Sequence, residues 1–182
     1  DPELIDEAKD ALYNSGDATS AARGVEVYDD GTGPKLYITG QFNMAGDAKA
    51  NGIAAWNGTS WEALGQGIGP NGPEGPFATG NALAVFDDGN GPALYVAGEF
   101  LTAGDQSAVN IARWNGTEWA GVGGGPLLAD GDYFGRSLAN LGDLDGDGIV
   151  DLAVGTDKDD TGGNLRGALY VLFLNADGTA KS

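Results

Sequence analysis

The sequence predicts an all-β fold made of three consecutive units of short antiparallel strands, preceded by a short helix. The first reason is an internal repeat, because Val25–Phe42 matches Leu83–Phe100 at an offset of 58 positions. The second is composition: Gly occupies 33 of 182 positions, although 41% of the residues are apolar. Since the usual share of Gly is about 7%, this composition is typical of a folded protein with many tight turns.

Residues 1–24 lie outside the repeats, and we expect them to form an N-terminal helical arm. Asp1 is a suitable N-cap, and Pro2 suits the first helical position. One face of a helix that ends at about Asn14 would carry the apolar residues Leu4, Ile5, Ala8, Ala11 and Leu12.

Residues 25–123 contain the two copies of the repeat, and each copy has four apolar runs of strand length. They lie at about 24–28, 35–40, 52–56 and 60–64, and at about 82–86, 93–98, 110–114 and 118–122. Asp-Asp-Gly-x-Gly-Pro is expected to form the first hairpin and Trp-Asn-Gly-Thr the last, because Asn-Gly favours tight two-residue turns. Four antiparallel strands repeated in tandem indicate propeller-type blades, and these two resemble the Trp-Asn-Gly blades of large bacterial surface and secreted proteins.

The third unit, at 131–182, is predicted to be a truncated blade. Its strands are expected at 135–141, 149–155 and 166–174, with a turn at Asn175–Gly178 and only four residues left for a fourth strand. The outer edge of the strand at 166–174 would then be open. We expect the arm of a neighbouring copy, through residues 18–23, to pair with that edge.

A short loop in this unit has the pattern of a calcium site. Carboxylates stand at its positions 1, 3, 5 and 9, which are Asp143, Asp145, Asp147 and Asp151, and Ile149 offers a backbone carbonyl at position 7. Position 12 is Val154, in a strand-like run, which argues against a helix-loop-helix site with a bidentate Glu. The predicted cofactor is Ca²⁺ in a structural role.

The residues around the loop extend the pattern. Phe134-Gly135, the loop, the strand after it and the run Arg166–Phe173 together resemble the FG-GAP repeat, the blade unit of integrin-alpha-type β-propellers. One departure is that the family's Gly-Ala-Pro is Gly155-Thr156-Asp157 here. The resemblance implies calcium binding between two strands and a place outside the cell or on its surface.

Composition removes several classes of function. A formal net charge of −18 with nine Lys plus Arg argues against nucleic acid and anionic lipid as partners. The absence of His and Cys excludes Ser-His-Asp, His-zinc and thiol chemistry. No apolar run is long enough for a transmembrane helix, and if the protein is secreted the chain would be the mature form.

Several other polar and aromatic patterns have simpler interpretations. Asp29-Asp30 and Asp87-Asp88 fit hairpin turns better than metal or acid-pair sites. A weak second cation site is conceivable in the acidic loop of Asp157, Asp159 and Asp160. Asn57 and Asn115 match the glycosylation pattern but are explained by their hairpins. We favour core packing over sugar stacking for the four tryptophans, Trp56, Trp61, Trp114 and Trp119.

The preferred function is therefore non-enzymatic: a calcium-stabilised extracellular structural or adhesive module, including a subunit of a self-assembling surface filament. Its expected partners are copies of itself or other surface proteins. The alternatives are a carbohydrate-binding, lectin-like module that uses the Trp-rich hairpins, and a fragment of a larger propeller protein. A carboxylate-only glycosidase is a more distant alternative.

Overall fold

The computed structural model describes residues 12–13, 20–69, 78–123, 133–158 and 166–181, and every regular element in them is a strand. The first strands are β1 Leu12–Tyr13, β2 Ala21–Asp29, β3 Pro34–Gln41, β4 Met44–Ala45, β5 Ala48–Lys49, β6 Ile53–Trp56 and β7 Trp61–Ala63. Next are β8 Ile68–Gly69, β9 Thr79–Asp87, β10 Pro92–Glu99, β11 Thr102–Ala103, β12 Gln106–Ser107, β13 Ile111–Trp114 and β14 Trp119–Gly121. The last are β15 Phe134–Gly142, β16 Asp151–Thr156 and β17 Ala168–Leu172.

These strands form three large sheets and two small ones. The first sheet is the antiparallel meander β2-β3-β6-β7, and the second sheet is the meander β9-β10-β13-β14. The third sheet is β15-β16-β17. There are also two accessory sheets, β1-β4-β5 and β8-β11-β12. In each of them, a hairpin inserted between the strands of a large sheet pairs with a short strand that precedes that large sheet in the sequence.

The first two sheets repeat the same strand order at the predicted spacing. β2 begins at residue 21 and β9 at residue 79, an offset of 58, and the later strands keep that offset. The tryptophans are opposite each other in both sheets, Trp56 with Trp61 and Trp114 with Trp119. The prediction of two equivalent four-stranded antiparallel units is confirmed.

The three large sheets pack against each other in chain order. β9 contacts β2 and β3 on one side, and β15 contacts β9 and β10 on the other. The core between the first two sheets includes Tyr28, Tyr37, Leu94 and Val96. The core between the second and third sheets includes Phe86, Tyr95, Phe134, Leu152 and Val154. The central sheet is therefore covered on both faces.

A polar contact joins the first strands of the three sheets. Arg23 and Asn81 lie at the irregularities where the register of β2 against β3, and of β9 against β10, shifts. Such a bulge redirects the side chain of its extra residue. Arg23 Nη1 donates to Asn81 Oδ1 at 2.8 Å, and Asn81 Nδ2 donates to the Phe134 carbonyl oxygen at 2.7 Å.

The N-terminal helix is the main correction to the predicted fold. Residues 1–11 and 14–19 lie outside the described residues, but Leu12 and Tyr13 form β1, which pairs with β4. Leu12 packs beside Ile38 and Phe42 in the core of the first accessory sheet. An apolar pattern that fits a helix can also fit a short strand, and here pairing with the β4-β5 hairpin decides. β2 also begins at Ala21, inside the predicted arm.

The hairpins before the last strands are longer than the predicted two-residue turns. Trp56 and Trp61 are paired, so four residues form the loop between them. Asn57 Oδ1 accepts hydrogen bonds from the amides of Thr59 at 2.9 Å and Ser60 at 3.0 Å. Of the pair Asn57-Gly58, the glycine alone has positive φ, at 97°. The turn is thus fixed by the Asn side chain and not by two left-handed residues.

The third sheet ends in a minimal fourth strand. Leu174 and Ala180 form an isolated antiparallel bridge, and the Lys181 amide donates to the Phe173 carbonyl oxygen at 2.7 Å. The Ala180 amide donates to the Val122 carbonyl oxygen at 2.6 Å, which attaches this segment to the second sheet. In the described residues the fourth strand is thus reduced to this bridge. Ala21 and Ala22 already pair with Gln41 and Gly40 in the first sheet, which does not fit the predicted role of residues 18–23 as a neighbour's arm.

Candidate functional site

The candidate calcium loop connects β15 to β16, and Asp143 organises its first half. Asp143 Oδ1 accepts hydrogen bonds from the amides of Gly146 at 2.7 Å and Asp147 at 3.0 Å. Its Oδ2 accepts one from the Gly148 amide at 2.8 Å. Gly146 and Gly148 have positive φ, 82° and 89°, which lets the chain curl around the carboxylate. The alternation of Asp and Gly therefore shapes the loop as well as supplying charge.

Asp151 fixes the other end of the loop. It begins β16 and is fully buried, which is unusual for a carboxylate. Its Oδ2 accepts a hydrogen bond from the Leu144 amide at 2.8 Å, and its Oδ1 accepts one from the Leu174 amide at 3.1 Å. Asp151 therefore ties the loop to the segment that follows β17.

Three of the five predicted ligands come together. Asp143, Asp145 and Asp151 each offer a carboxylate oxygen, and these oxygens lie within 4.8 Å of one another. The set contains hard oxygen donors alone, which suits Ca²⁺ or Mg²⁺ and not a soft metal. Among the described residues this is the one such cluster of acidic groups. The donor chemistry thus fits the predicted ion.

Asp147 and Ile149 are placed differently. Asp147 lies outside the three-carboxylate cluster, and its Oδ1 accepts a hydrogen bond from the Ile149 amide at 2.9 Å. The half-buried side chain of Ile149 packs against the core between the second and third sheets. Ligation by any of the five residues stays a prediction, and for Asp147 and the Ile149 carbonyl it has no support from the cluster.

Lys181 is a residue of the site that the sequence pattern did not indicate. Its Nζ lies 2.8 Å from Asp147 Oδ2 and also bonds Asp145 Oδ2. These contacts raise the pKa of Lys181 above its ordinary value, and the hydrogen bond from Lys181 lowers the pKa of Asp147. Lys181 lies 36 positions from Asp145, so spacing within the loop carries no signal for it.

The paired aspartates of the two hairpins are turn residues, as predicted. Asp29 Oδ1 accepts the Gly31 amide at 2.9 Å and the Gly33 amide at 3.0 Å, and Asp87 does the same for Gly89 and Gly91, both at 2.9 Å. The second aspartate of each pair has a further role that sequence reasoning missed. It turns toward the sheet and binds a cationic side chain together with a tyrosine hydroxyl.

The tryptophans pack in pairs, as the sequence favoured. The ring centroids of Trp56 and Trp61 are 5.3 Å apart, and those of Trp114 and Trp119 are 5.1 Å apart, both in tilted arrangements. Trp114 and Trp119 are buried, and they belong to the core between the first two sheets. Little of their ring surface is left for a sugar to stack on.

The conceivable second cation site receives no support from its described part. Asp157 lies 3.3 Å from Arg136 Nε in an exposed ion pair, while Asp159 and Asp160 fall outside the described residues. Arg136 and Lys158 both lie over the ring of Tyr133, at 4.7 and 4.3 Å from its centroid. Among the described residues, Asp157 is thus paired with a cationic side chain.

Comparison with known families confirms part of the resemblance. Residues 134–172 match the family model of the FG-GAP repeat, a range that begins at β15 and ends with β17. No solved structure matches the chain. In the part of the chain that the structure describes, no helix is long and apolar enough to cross a membrane. The third sheet, with its acidic loop, is therefore the part of the chain that is similar to the FG-GAP repeat.

Proposed function

We propose that this chain is a calcium-stabilised extracellular module with a structural or adhesive role, built from propeller-type blades. The observation that carries the proposal is the cluster of Asp143, Asp145 and Asp151 in an FG-GAP repeat, in which one carboxylate is fully buried. In the proposal, the first two sheets are blades of the Trp-Asn-Gly type. The sequential packing of three sheets through β2, β9 and β15 supports this arrangement.

The proposed role of the metal is to join the two ends of the loop. Asp143 follows β15 and Asp151 begins β16, so an ion held by both would stiffen this hairpin. Because Asp151 also accepts the Leu174 amide, the same ion would stabilise the end of the chain. Clustered carboxylates repel one another, and a bound cation removes that repulsion.

In the proposal, the ammonium group of Lys181 competes with the ion for two of the loop aspartates. Its ammonium bonds two loop aspartates, Asp145 and Asp147, which are both among the proposed ligands. Calcium binding through them would require the lysine to move aside. Lys181→Met should therefore tighten calcium binding, which calorimetric titration of the variant beside the natural chain would measure.

The proposed partners are other surface proteins or further copies of the chain, and the role is non-enzymatic. The third sheet supports a role in assembly because its last strand, β17, is an apolar edge strand with Leu169 at 70% and Val171 at 40% exposure. An exposed apolar edge strand is suited to pairing with a strand from another protein. A strongly acidic surface fits an extracellular setting, where calcium and salt screen its charge.

Thermal unfolding with and without calcium tests the proposal. Calcium that binds the folded chain should raise its melting temperature through linkage, and excess chelator should reverse the rise. Asp145→Ala should abolish the shift, whereas Asp47→Ala, which changes an exposed turn in the first accessory sheet, should keep it. Equal melting temperatures in calcium and in chelator for the natural chain would refute the metal role.

A glycan array separates this proposal from the carbohydrate-binding alternative. Since Trp114 and Trp119 are buried, we expect no specific sugar binding. Trp56 and Trp61 of the first hairpin are both half-buried, and binding that is lost in Trp56→Ala would favour the lectin-like function instead.

A further inference from the structure

The first and second sheets differ in what covers one of their faces. We call the face of a sheet that points away from the next sheet in the chain its leading face, and the opposite face its trailing face. On the second sheet the leading face carries Leu83 and Val85, which lie opposite Val96 and Leu94 of β10. All four pack in the core between the first two sheets.

The equivalent residues of the first sheet are exposed. Val25 and Val27 occupy the positions of Leu83 and Val85, and they lie opposite Ile38 and Leu36 of β3 in the same register. Their exposed fractions are 63% and 58%. Neighbouring β-branched residues exposed on one strand face are typical of an interaction surface.

An indole group gives a second sign that is independent of apolar exposure. Trp119 Nε1 donates to the carbonyl oxygen of Leu64 at 2.8 Å, in the connector that leaves the first sheet. Trp61 is the counterpart of Trp119 one repeat earlier. Its Nε1 is buried and has no hydrogen-bond partner among the described residues. Buried donors are usually paired, and although Trp114 Nε1 of the second sheet is also without a partner among the described residues, the missing connector contact at Trp61 agrees with an uncovered leading face.

The hairpin glycines give a third sign. A Cβ at Gly116 of the second sheet would lie 2.8 Å from the Asp30 carbonyl oxygen in the Asp-Asp turn of the first sheet. A Cβ at Gly178 of the third sheet would lie 2.5 Å from Asp88 Oδ2 in the second such turn. The hairpin glycine of each later sheet thus lies against the Asp-Asp turn of the preceding sheet. Gly58, the counterpart of Gly116, has no atom within 4 Å of its Cβ position in the part of the chain that the structure describes.

From these differences we infer that the leading face of the first sheet is a docking surface for one further sheet of the same repeat type. The docking sheet presents two tyrosines to it, as Tyr28 and Tyr37 face the second sheet. Its connector supplies the carbonyl for Trp61, and its Asp-Asp turn receives Gly58. The interface repeats the one between the first and second sheets, and the inference does not rest on the proposed calcium or surface role.

A second copy of this chain does not offer that surface. The trailing faces of its first and second sheets are already covered by the next sheet. Its third sheet has exposed residues on β17 and carries the acidic loop between β15 and β16 where the other sheets have the Asp-Asp turn. The occupant is therefore a repeat of the first or second type, joined in line ahead of β2.

The absence of cysteine makes a direct test possible. Duplicating residues 21–78 in tandem places a sheet of the required type ahead of the original first sheet at the natural offset of 58 positions. In the unduplicated chain, Val27→Cys should react quickly with a thiol reagent and Val85→Cys about tenfold more slowly, because reactivity follows exposure. In the duplicated chain, Val27→Cys in the downstream copy should become as slow as Val85→Cys. The same substitution in the upstream copy should stay fast.

Three controls make the outcome decisive. Fast reaction of the downstream Val27→Cys, in a duplicated chain whose Val85→Cys is still protected, would overturn the inference. So would a reaction of the unduplicated Val27→Cys chain that slows as protein concentration rises, since a second copy would then be the occupant. If Val85→Cys also reacts fast, the duplicated chain is misfolded, and an upstream copy with Val25→Thr and Val27→Thr, which has a more polar leading face, is used with the same criteria.

Discussion

The first and second sheets each balance the charge of the second aspartate in their Asp-Asp turn, but they do so with different residues. In the first, Asp30 Oδ2 accepts from Lys35 Nζ at 2.8 Å and from the Tyr37 hydroxyl at 3.2 Å. In the second, Asp88 accepts from the Tyr95 hydroxyl at 2.7 Å and is paired with Arg113.

The cation comes from a different strand in each sheet. Lys35 lies on β3, where the second sheet has Ala93, and Arg113 lies on β13, where the first sheet has Ala55. The acid and the tyrosine are kept, and the position of the cation is free to change. The repeat therefore preserves the charge balance of the turn and not the identity of each residue.

The surroundings of the two acids also differ. Asp88 is fully buried, and the third sheet covers it, since Gly178 lies against Asp88 and Arg113. Lys35 also contacts Glu62 at 3.0 Å, whereas Arg113 has Asp88 as its one ion-pair partner among the described residues. Removal of Asp88 and removal of Asp30 should thus lower the free energy of unfolding by different amounts.

The largest expected effect comes from Asp88→Ala, which leaves the half-buried guanidinium of Arg113 without its acidic partner. We expect a loss of about 3–5 kcal/mol in the free energy of unfolding, measured by denaturant titration. Asp30→Ala should cost about 1–2 kcal/mol, because Lys35 keeps Glu62. The double variant Asp88→Ala with Arg113→Ala should cost less than the sum of the single ones, and equal costs for the two Asp variants would contradict the comparison.

The leading faces allow a second contrast with a smaller effect. Val85→Asp places a charge in the core between the first two sheets, whereas Val27→Asp changes an exposed position. Both substitutions lose the same strand propensity, so the difference between their effects on the free energy of unfolding reports packing. We expect Val85→Asp to be about 2 kcal/mol more destabilising in equilibrium unfolding. A similar cost at both positions would mean that Val27 is covered in solution.

The paired tryptophans provide a third contrast. Trp119→Phe removes the hydrogen bond to the Leu64 carbonyl, while Trp61→Phe removes an indole whose nitrogen has no partner among the described residues. Trp119→Phe should therefore destabilise by about 1 kcal/mol more than Trp61→Phe. A larger loss for Trp61→Phe would indicate that its indole has an acceptor after all.

The smallest expected effect is in the pH dependence of the first sheet. Burial alone would raise the pKa of Asp30, but hydrogen bonds from Lys35 and Thr32 outweigh it and lower the pKa from 3.8 to about 2. A lowered carboxyl pKa stabilises the folded state above the ordinary value, and that contribution is lost as pH falls toward about 2. Lys35→Met should raise the pKa of Asp30 and so make stability depend less on pH in this window.

Carboxyl NMR titration and unfolding curves at several acidic pH values measure both parts of this prediction. Lys49→Met, which removes an exposed charge on β5, is the matched control and should leave the titration of Asp30 unchanged. A pKa of Asp30 that stays near 2 without Lys35 would show that the turn amides alone hold it down.

Local patterns in the sequence predicted most of the strands but few of the long-range partners. Alternating apolar residues and turn residues placed the strands of the three large sheets to within a few residues, because both signals act between near neighbours. The same reasoning placed Leu12 and Tyr13 in a helix and missed the accessory sheets. Strands of two residues carry too little pattern, and they form because another part of the chain offers free backbone groups.

The sequence by itself determined the all-β class, the 58-residue repeat and the acidic loop with its glycines, since each is encoded in residues that are close along the chain. Tertiary structure decided which cation balances which acid, as with Arg113 for Asp88 and Lys181 for the loop. It also gave the Trp119 indole an acceptor, which the Trp61 indole does not have among the described residues. In the same way it covered Val85 and left Val27 exposed. The physical reason is that similar local patterns differ in stability and exposure when a neighbouring sheet covers one of them and, among the described residues, none covers the other.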